Sequence, residues 1–224
     1  MKRQIVYEDN HLLIINKKVG QLVQGDKTGD LSLLDLLRSF IKDRDKKPGN
    51  VFLGLVHRID RPTSGLVIFA KTSKALSRLT RMVKRREIQK KYWALVPKEG
   101  IPRSQRLVHY LRKNEKNNKA VVYRHPTPHA KESILTYSVI KSLERYFLLE
   151  IDLETGRHHQ IRAQLSYIGI PIKGDLKYGA PRSNLGGGIS LHARRLSFVH
   201  PVSQEKIIVE APLPTQDPLW KACL

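Results

Sequence analysis

Hydrophobic positions along this chain predict many short strands and few helices. Apolar residues occur in short runs, or alternate with polar residues, which are the patterns of fully buried and half-buried strands. The stretches 135–139 and 147–153 both alternate, which predicts an antiparallel pair with one face in the core. The complete set of predicted strands is 5–7, 12–16, 66–70, 91–96, 135–139, 147–153, 191–198 and 206–210.

Helical spacing of apolar residues is limited to three stretches. The first is 33–41, where Ser32 is suited to cap the helix N-terminus. The second follows Thr72 or Ser73, either of which can act as its N-cap. The third is a short helix over 161–168, which ends before a glycine.

The order of these elements favours one fold class. Runs of strands with few helices between them are typical of an α+β fold with a mixed, mostly antiparallel central sheet flanked by helices and loops, and not of a doubly wound parallel sheet. The stretch 103–131 is poor in apolar residues and predicts loops and irregular hairpins. We expect residues 1–224 to form a single domain.

The charge of the chain indicates a polyanionic partner. Lys and Arg number 41 against 20 Asp and Glu, which gives a net charge of +21. An excess of this size favours nucleic acid as the partner. Positive charge is concentrated in 71–91, where Glu87 is the only acidic residue, and in 103–131, where Glu115 is the only one. Both stretches could also be ordinary solvated faces.

Several classes of protein are disfavoured by what the sequence lacks. No apolar run approaches the ~18 residues of a membrane-spanning helix, and the first ten residues lack the apolar core of a signal peptide. Cys223 is the only cysteine, so an intrachain disulfide and a cysteine-rich zinc site are excluded. No zincin, P-loop or hydrolase-elbow motif is present, and we expect no metal site. We expect a cytoplasmic protein without a membrane partner.

A polar turn from His57 to Gly65 precedes the predicted strand 66–70. Asp60 lies in its middle, with Arg58 on one side and Arg61 on the other. From this stretch alone two interpretations stay open. Asp60 could fix a tight turn, as aspartate commonly does, or it could be a carboxylate held between two cations in a cleft.

Three motifs together resolve this ambiguity through a resemblance. They are H-R-I-D-R-P-T-S-G-L at 57–66, K-Y-W-A-L-V at 91–96, and G-R-H-H-Q-I-R-A-Q-L at 156–165 followed by P-I-K-G-D-L-K-Y-G at 171–179. In this order and spacing they resemble the signatures of the RluA-type family of RNA pseudouridine synthases. The resemblance extends from about Tyr7 to Pro214 and includes the stretch Y-E-D-N-H-L-L-I-I-N-K near the start.

The resemblance implies an enzyme that isomerises uridine to pseudouridine in RNA. Asp60 matches the family's catalytic aspartate, Tyr92 its active-site tyrosine, and Arg162 the arginine that pairs with that aspartate. Arg58 matches the position that helps to displace the target base from its helix. The family uses neither metal nor cofactor, and its active cleft crosses the middle of the sheet.

The chemistry is consistent with these roles. The reaction breaks the bond between uracil N1 and ribose C1′ and rebonds the ring through C5, so it needs no redox or phosphate cofactor. A carboxylate can act on the sugar as nucleophile or base, and an arginine beside it favours the ionised form. The uridine must leave its stack, at a cost of a few kcal/mol. Tyr92 could stack on the base or accept a proton from C5.

The chain departs from the family pattern at three positions. Lys18 replaces the usual proline, Ile59 replaces a leucine, and His158 replaces a threonine. None of these removes a catalytic side chain, although His158 could alter substrate contacts. Many relatives carry a separate N-terminal RNA-binding domain, which we do not expect here. We also expect a monomer.

RNA affinity must then come from the basic surface of this chain and fall steeply with salt. The substrate expected from the resemblance is ribosomal or transfer RNA. The role of Arg61 is open between stiffening the turn, holding a phosphate, and neither. The residues that we predict to contact RNA are Arg58, Arg61, Arg81, Lys84, Arg85 and Arg86.

Two other functions compete with this prediction. One is a non-catalytic RNA-binding or ribosome-assembly protein on the same scaffold. The other is a metal-free ribonuclease that uses His57 or His159 as acid and base. The presence of Asp60, Tyr92 and Arg162 together argues against a pure binder, which has no need of a buried carboxylate facing phosphates.

Overall fold

The computed structural model describes residues 1–25, 29–214 and 217–224, which form two compact units. The first unit is Met1–Ile88 with Ala193–Pro212, and the second is Gln89–His192 with Leu213–Leu224. Both combine antiparallel strands with a few short helices, so the predicted α+β class is confirmed. The single-domain organisation and the cleft across the sheet stay predictions.

The first unit contains the following elements in chain order: β1 (Ile5–Glu8), β2 (Leu12–Lys17), α1 (Leu33–Arg44), β3 (Gly54–Leu55), β4 (Ser64–Ala70), α2 (Ser73–Lys84), most of β10 (Leu191–Val199) and β11 (Lys206–Glu210). Its strands run in the order β1-β2-β4-β10, with β3 paired to β4 and β11 to β10. In the β2–β4 ladder Ile15 is opposite Val67 and Lys17 is opposite Gly65, so the end of β2 lies beside the start of β4.

Local signals account for the helices of this unit. The Ser32 hydroxyl accepts the Asp35 N–H at the start of α1, and the Thr72 hydroxyl accepts the Ala75 N–H at the start of α2, as helix N-caps do. The apolar side of α2 packs through Ala75 and Leu79 on the buried faces of the sheet. The predicted cap Ser32 is therefore confirmed, and of the two candidates for α2 the N-cap is Thr72.

The second unit contains β5 (Gln89–Pro97), β6 (Ser104–Asn114), β7 (Lys119–Tyr123), β8 (Lys131–Ser142), β9 (Tyr146–Leu153), α3 (Gln160–Tyr167) and α4 (Pro218–Lys221). Its strands run in the order β5-β9-β8-β6-β7, and every pairing along that path is antiparallel. The predicted antiparallel pair of 135–139 and 147–153 is the central part of β8 and β9.

The expectation of loops and irregular hairpins over 103–131 is wrong. The structure has a regular hairpin there, with Leu111 opposite Val122, and β6 also pairs along most of its length with β8. The buried positions of β6 do alternate, at Leu107, His109 and Leu111. The polar His109 in the middle of that series conceals the alternation when apolar residues alone are counted.

A small apolar cluster surrounds the single cysteine. The Cys223 side chain is 6% exposed and packs with Leu95, Leu148 and Trp220. Its thiol lies 3.1 Å from the Leu219 carbonyl oxygen, and burial raises its pKa. Among the described residues, no helix has both the length and the apolar character needed to cross a membrane.

Candidate active site

Asp60 lies on a tight turn between β3 and β4. The Asp60 carbonyl accepts the Thr63 N–H at 3.0 Å, and Pro62 restricts the backbone between them. Ile59 is buried beneath this turn, whereas Arg58 is exposed and Asp60 is half-buried. The buried side chain of Ile59 thus anchors the turn, and the charged residues that flank it in sequence, Arg58 and Asp60, are less buried.

Arg61 ties this turn to the segment that follows β2. Its carbonyl accepts the Gly20 N–H at 2.9 Å, and its Nε donates to the Gly20 carbonyl at 3.1 Å. Its Nη2 also lies 2.8 Å from the Asp30 carboxylate. Of the roles left open for Arg61, the structure supports stiffening of the turn, and its contact with RNA stays a prediction.

A buried lysine holds the same turn from below. Lys17 is 0% exposed, and its Nζ donates to the carbonyl oxygens of Lys18 at 3.0 Å, Gln21 at 2.9 Å and Arg61 at 3.1 Å. Burial lowers the pKa of Lys17 to about 7, and the negative charge of Asp60 opposes this shift. Lys17 therefore contributes hydrogen bonds to the turn and, when it is protonated, a positive charge that interacts with the Asp60 carboxylate.

Close approach of two backbones fixes the end of the turn. Gly65 has φ +112°, and a Cβ added there would lie 2.4 Å from the carbonyl oxygen of Ala193 in β10. No side chain can occupy that space without moving the backbone, since such short contacts are not tolerated. Glycine at this position lets β10 lie directly beside the start of β4.

Arg162 is the best defined of the predicted site residues in the second unit. It lies on α3, is 4% exposed, and forms a two-point ion pair with Asp175, with Nε–Oδ2 2.7 Å and Nη2–Oδ1 2.9 Å. Asp175 itself is 1% exposed. This pair uses two of the five guanidinium N–H groups. The predicted pairing of Arg162 with Asp60 stays a prediction.

An aromatic residue completes the surroundings of this ion pair. The Arg162 guanidinium lies 5.0 Å from the centroid of the Tyr178 ring, within the range of a cation–π contact. The Tyr178 hydroxyl accepts the Ala120 N–H at 2.7 Å and lies 2.9 Å from His159 Nδ1. Burial, reinforced by the charge of Arg162, lowers the pKa of His159 to about 2. His159 is therefore neutral at physiological pH and shares a hydrogen bond with the Tyr178 hydroxyl.

Tyr92 occupies the middle of β5, as the motif predicts. It is 7% exposed and lies opposite Ile151 of β9. Its neighbours along the strand, Lys91 and Trp93, lie on the other face, where they meet the carboxylates of Asp152 and Glu150. Tyr92 thus projects from the face of β5 opposite to these ion pairs, and its role towards substrate stays a prediction.

The predicted RNA contacts of α2 form a compact group at the C-terminal end of the helix. All four side chains are exposed, and the last of them, Arg86, has a left-handed backbone with φ 60°. Cations at a helix C-terminus also stabilise the helix dipole, and the RNA contact of these residues stays a prediction. We call this group the α2 basic cluster: Arg81, Lys84, Arg85 and Arg86.

Sequence reasoning missed Lys17 and Asp175 as site residues. Both belong to stretches that resemble the family signatures, Lys17 at the end of the first and Asp175 within the last. Their motif membership was therefore a usable signal. Their partners, the Arg61 carbonyl and the Arg162 guanidinium, are visible only in three dimensions.

Comparison with known proteins shows the family. The model of the RNA pseudouridylate synthase family matches residues 11–167, so this chain belongs to that family and the resemblance seen in the motifs is confirmed. Ribosomal large subunit pseudouridine synthase C of Vibrio cholerae is 36% identical over 215 residues, covering 93% of this chain and 65% of the relative. An uncharacterised RNA pseudouridine synthase of Bacillus subtilis is 34% identical, covering 96% of this chain and 70% of the relative.

Solved structures agree with this assignment. Human RNA pseudouridylate synthase domain containing 4 superposes with a TM-score of 0.80 at 25% identity, covering 96% of this chain and 90% of that one. Human RNA pseudouridylate synthase domain containing 1 gives a TM-score of 0.74, also at 25% identity, covering 98% of this chain and 86% of that one. The chain spans about two thirds of the length of the first bacterial relatives that it matches, 65% and 66%.

Proposed function

We propose that this chain is an RNA pseudouridine synthase that isomerises uridines in RNA, with Asp60 as the reacting carboxylate. The observation on which this rests is the family match over 11–167, which includes Asp60, Tyr92 and Arg162. The clamped turn around Asp60 supports it, because a reacting group must be held in a fixed geometry. The names of several relatives refer to the ribosomal large subunit, which favours ribosomal over transfer RNA as the substrate.

In the proposed reaction the Asp60 carboxylate acts on the ribose of an extruded uridine, as nucleophile or as base. The N1–C1′ bond breaks, the uracil turns, and C5 bonds to C1′. The proton on C5 leaves to solvent, and N1 gains one, so the product is an isomer of the substrate. Because no electrons are gained or lost overall, we propose no redox cofactor.

The other predicted residues support this step in distinct ways. We propose that Arg162, oriented by Asp175, pairs with the Asp60 carboxylate and holds it in place. Tyr92 stacks on the base or accepts the C5 proton. Arg58, which makes no hydrogen bond or ion pair with another described residue, displaces the uridine from its stack.

RNA affinity in this proposal comes from the basic surface of the chain. The α2 basic cluster supplies one contact region, together with Arg61 on the turn. The exposed cations of the β6–β7 hairpin, such as Arg112 and Lys116, supply a second. Since these contacts are electrostatic, binding should weaken strongly with salt.

Tritium release tests the reaction directly. Wild-type protein incubated with a large-subunit ribosomal RNA transcript that contains [5-³H]uridine should release tritium to water, and Asp60→Asn should release none while it still binds the RNA. Asp35→Asn, a change at a half-exposed carboxylate on α1, is the matched control and should react like wild type. Activity of Asp60→Asn near that of wild type would disprove the assignment.

The same assay separates the competing functions. A non-catalytic binder would retain RNA without tritium release, and a ribonuclease would shorten the RNA on a gel. The structure argues against the ribonuclease. His159 has a pKa of about 2 and cannot supply an imidazolium at neutral pH. His57 Nε2 accepts the backbone N–H of Ile68 at 3.3 Å, so it also serves the fold.

A further inference from the structure

Two consecutive lysines of β5 have opposite environments. The register places Lys91 opposite Asp152 and Trp93 opposite Glu150 on one face of the β5–β9 pair. Because successive side chains of a strand project to opposite faces, Lys90 lies on the other face, together with Tyr92. The two lysines therefore differ in surroundings although they are neighbours in sequence.

Lys91 has its charge satisfied within the protein. Its Nζ lies 2.5 Å from Glu150 Oε1 and 3.6 Å from Asp152 Oδ2. The hydrogen bond to Glu150 raises the pKa of Lys91. On this face of β5, then, the charge of Lys91 is neutralised by carboxylates of β9.

Lys90 has no such partner. It is partly buried, and it makes no hydrogen bond or ion pair with any residue that the structure describes. Burial alone accounts for the lowering of its pKa. A cation that is withdrawn from water and has no anion beside it is costly, and proteins normally supply a partner for such a group.

A ligand that brings an anion would satisfy Lys90. The side chains of Lys90 and Tyr92 leave the same strand face about 7 Å apart, since a strand rises about 3.4 Å per residue. That separation lies within the dimensions of one nucleotide. RNA brings a phosphodiester with every nucleotide, and the net charge of +21 shows how strongly this chain is biased towards binding such groups.

We propose that Lys90 binds a backbone phosphate of the RNA, at or next to the nucleotide whose base lies against Tyr92. This inference rests on the proposed function, because it takes Tyr92 as the residue that meets the target base. It assigns Lys90 to substrate binding and Lys91 to the stability of the β5–β9 pair. Lys90 then fixes the position of the sugar–phosphate backbone while Tyr92 holds the base.

The test compares Lys90→Met with Lys91→Met, which remove the same charge from adjacent positions of one strand. RNA binding is measured in the Asp60→Asn background with an in vitro transcript of large-subunit ribosomal RNA over a range of salt concentrations. Lys90→Met should weaken binding at least tenfold at low salt and reduce the slope of log K against log salt by about 1, the value for one phosphate contact. Lys91→Met should leave the slope unchanged.

Tritium release with the catalytically intact proteins supplies the second readout. Lys90→Met should raise KM at least tenfold with kcat within about twofold of wild type, and Lys90→Arg should restore KM. A fall in kcat at unchanged KM would show that Lys90 takes part in the chemistry, and a salt slope equal to that of wild type would show that it touches no phosphate. Either result overturns the proposal.

Two measurements distinguish failure of this proposal from misfolding of the variant and from failure of the proposed isomerisation. Thermal unfolding of Lys90→Met should begin at a temperature no lower than for wild type, because the change removes an unpaired buried cation, so loss of binding cannot be attributed to misfolding. If the intact protein released no tritium at all, the proposed isomerisation would fail, whereas the salt slope in the Asp60→Asn background would still decide the role of Lys90.

Discussion

Replacement of Lys17 by methionine tests the structure beneath the Asp60 turn. Lys17 is fully buried and donates to three backbone carbonyls, one of them that of Arg61 in the turn. Methionine retains the apolar volume of the side chain but offers no donor. The change therefore isolates the amino group, both as a hydrogen-bond donor and as a titrating charge.

The expected effect on stability depends on pH. At pH 9 the amine is neutral in the folded protein and still donates two hydrogen bonds, each worth about 1 kcal/mol net, so Lys17→Met should cost about 2 kcal/mol. At pH 7 the free energy of unfolding of the wild type is lower by a comparable amount, because folding then requires Lys17 to lose a proton or to bury its charge. The two proteins should therefore be nearly equal in stability at pH 7.

The sign follows from linkage. The pKa of Lys17 is about 7 in the folded protein against 10.5 for an ordinary lysine, so the folded state binds fewer protons between these values. The free energy of unfolding contributed by Lys17 consequently rises with pH from about 7 to 10.5, at up to 1.36 kcal/mol per pH unit. Integration from pH 7 to pH 9 gives about 2 kcal/mol.

Urea unfolding at pH 7, 8 and 9 measures this difference. Far-UV circular dichroism is the better probe, because Trp93 and Trp220 both belong to the second unit and Lys17 to the first. Lys18→Met, a change at the exposed neighbour of Lys17, should shift stability by less than about 0.5 kcal/mol at every pH. Parallel stability curves for wild type and Lys17→Met over this range would refute the lowered pKa and the reasoning built on it.

Three further changes probe other parts of the structure. Asp175→Asn should lower the free energy of unfolding in urea by about 3 kcal/mol, because it leaves the Arg162 guanidinium buried without its carboxylate. Asp217→Asn breaks a partly exposed pair and should lower it by about 1 kcal/mol or less. Equal losses in the two variants would contradict this difference in burial. Gly65→Ala should lower the free energy of unfolding by about 3 kcal/mol or more, because residue 65 has a positive φ and the added Cβ would clash with the backbone of β10. Gly100→Ala is the control and should be close to neutral in the same measurement, because a Cβ there meets nothing within 4 Å. Replacement of the α2 basic cluster by alanines should reduce the slope of log K for RNA binding against log salt by about 3. Alanines at the exposed lysines of 42–47 should leave this slope unchanged. An unchanged slope in the α2 variant would place the RNA surface elsewhere.

Local signals in the sequence were sufficient for most of the fold. The capping residues Ser32 and Thr72 are recognisable because a helix N-cap depends on a side chain and a backbone group three positions apart. The alternation in β8 and β9 is visible because every buried position there is apolar or aromatic over the central stretch. The β6–β7 hairpin escaped prediction since His109, a polar residue, occupies a core position.

The candidate site was only partly predictable for a different reason. Asp60, Tyr92 and Arg162 stand out through motif resemblance, which requires no knowledge of contacts. The burial of Lys17 cannot be inferred in this way, because a lysine at the end of an apolar strand normally extends into solvent. The bond between Arg162 and Asp175 joins an α3 residue to a loop 13 positions later, and no local rule selects that carboxylate among the acids of the chain.

The buried thiol of Cys223 makes this chain convenient for spectroscopic labelling. It is the only cysteine, and its side chain is 6% exposed within an apolar cluster, with a raised pKa that further lowers its reactivity. A second cysteine placed at an exposed position, such as Lys116 on the β6–β7 hairpin, would therefore react selectively with a maleimide dye under native conditions. Conversely, the rate at which Cys223 itself reacts reports how often the C-terminal segment of the second unit opens. The introduced cysteine thus carries a spectroscopic label, while the reaction rate of Cys223 measures local unfolding in the same protein.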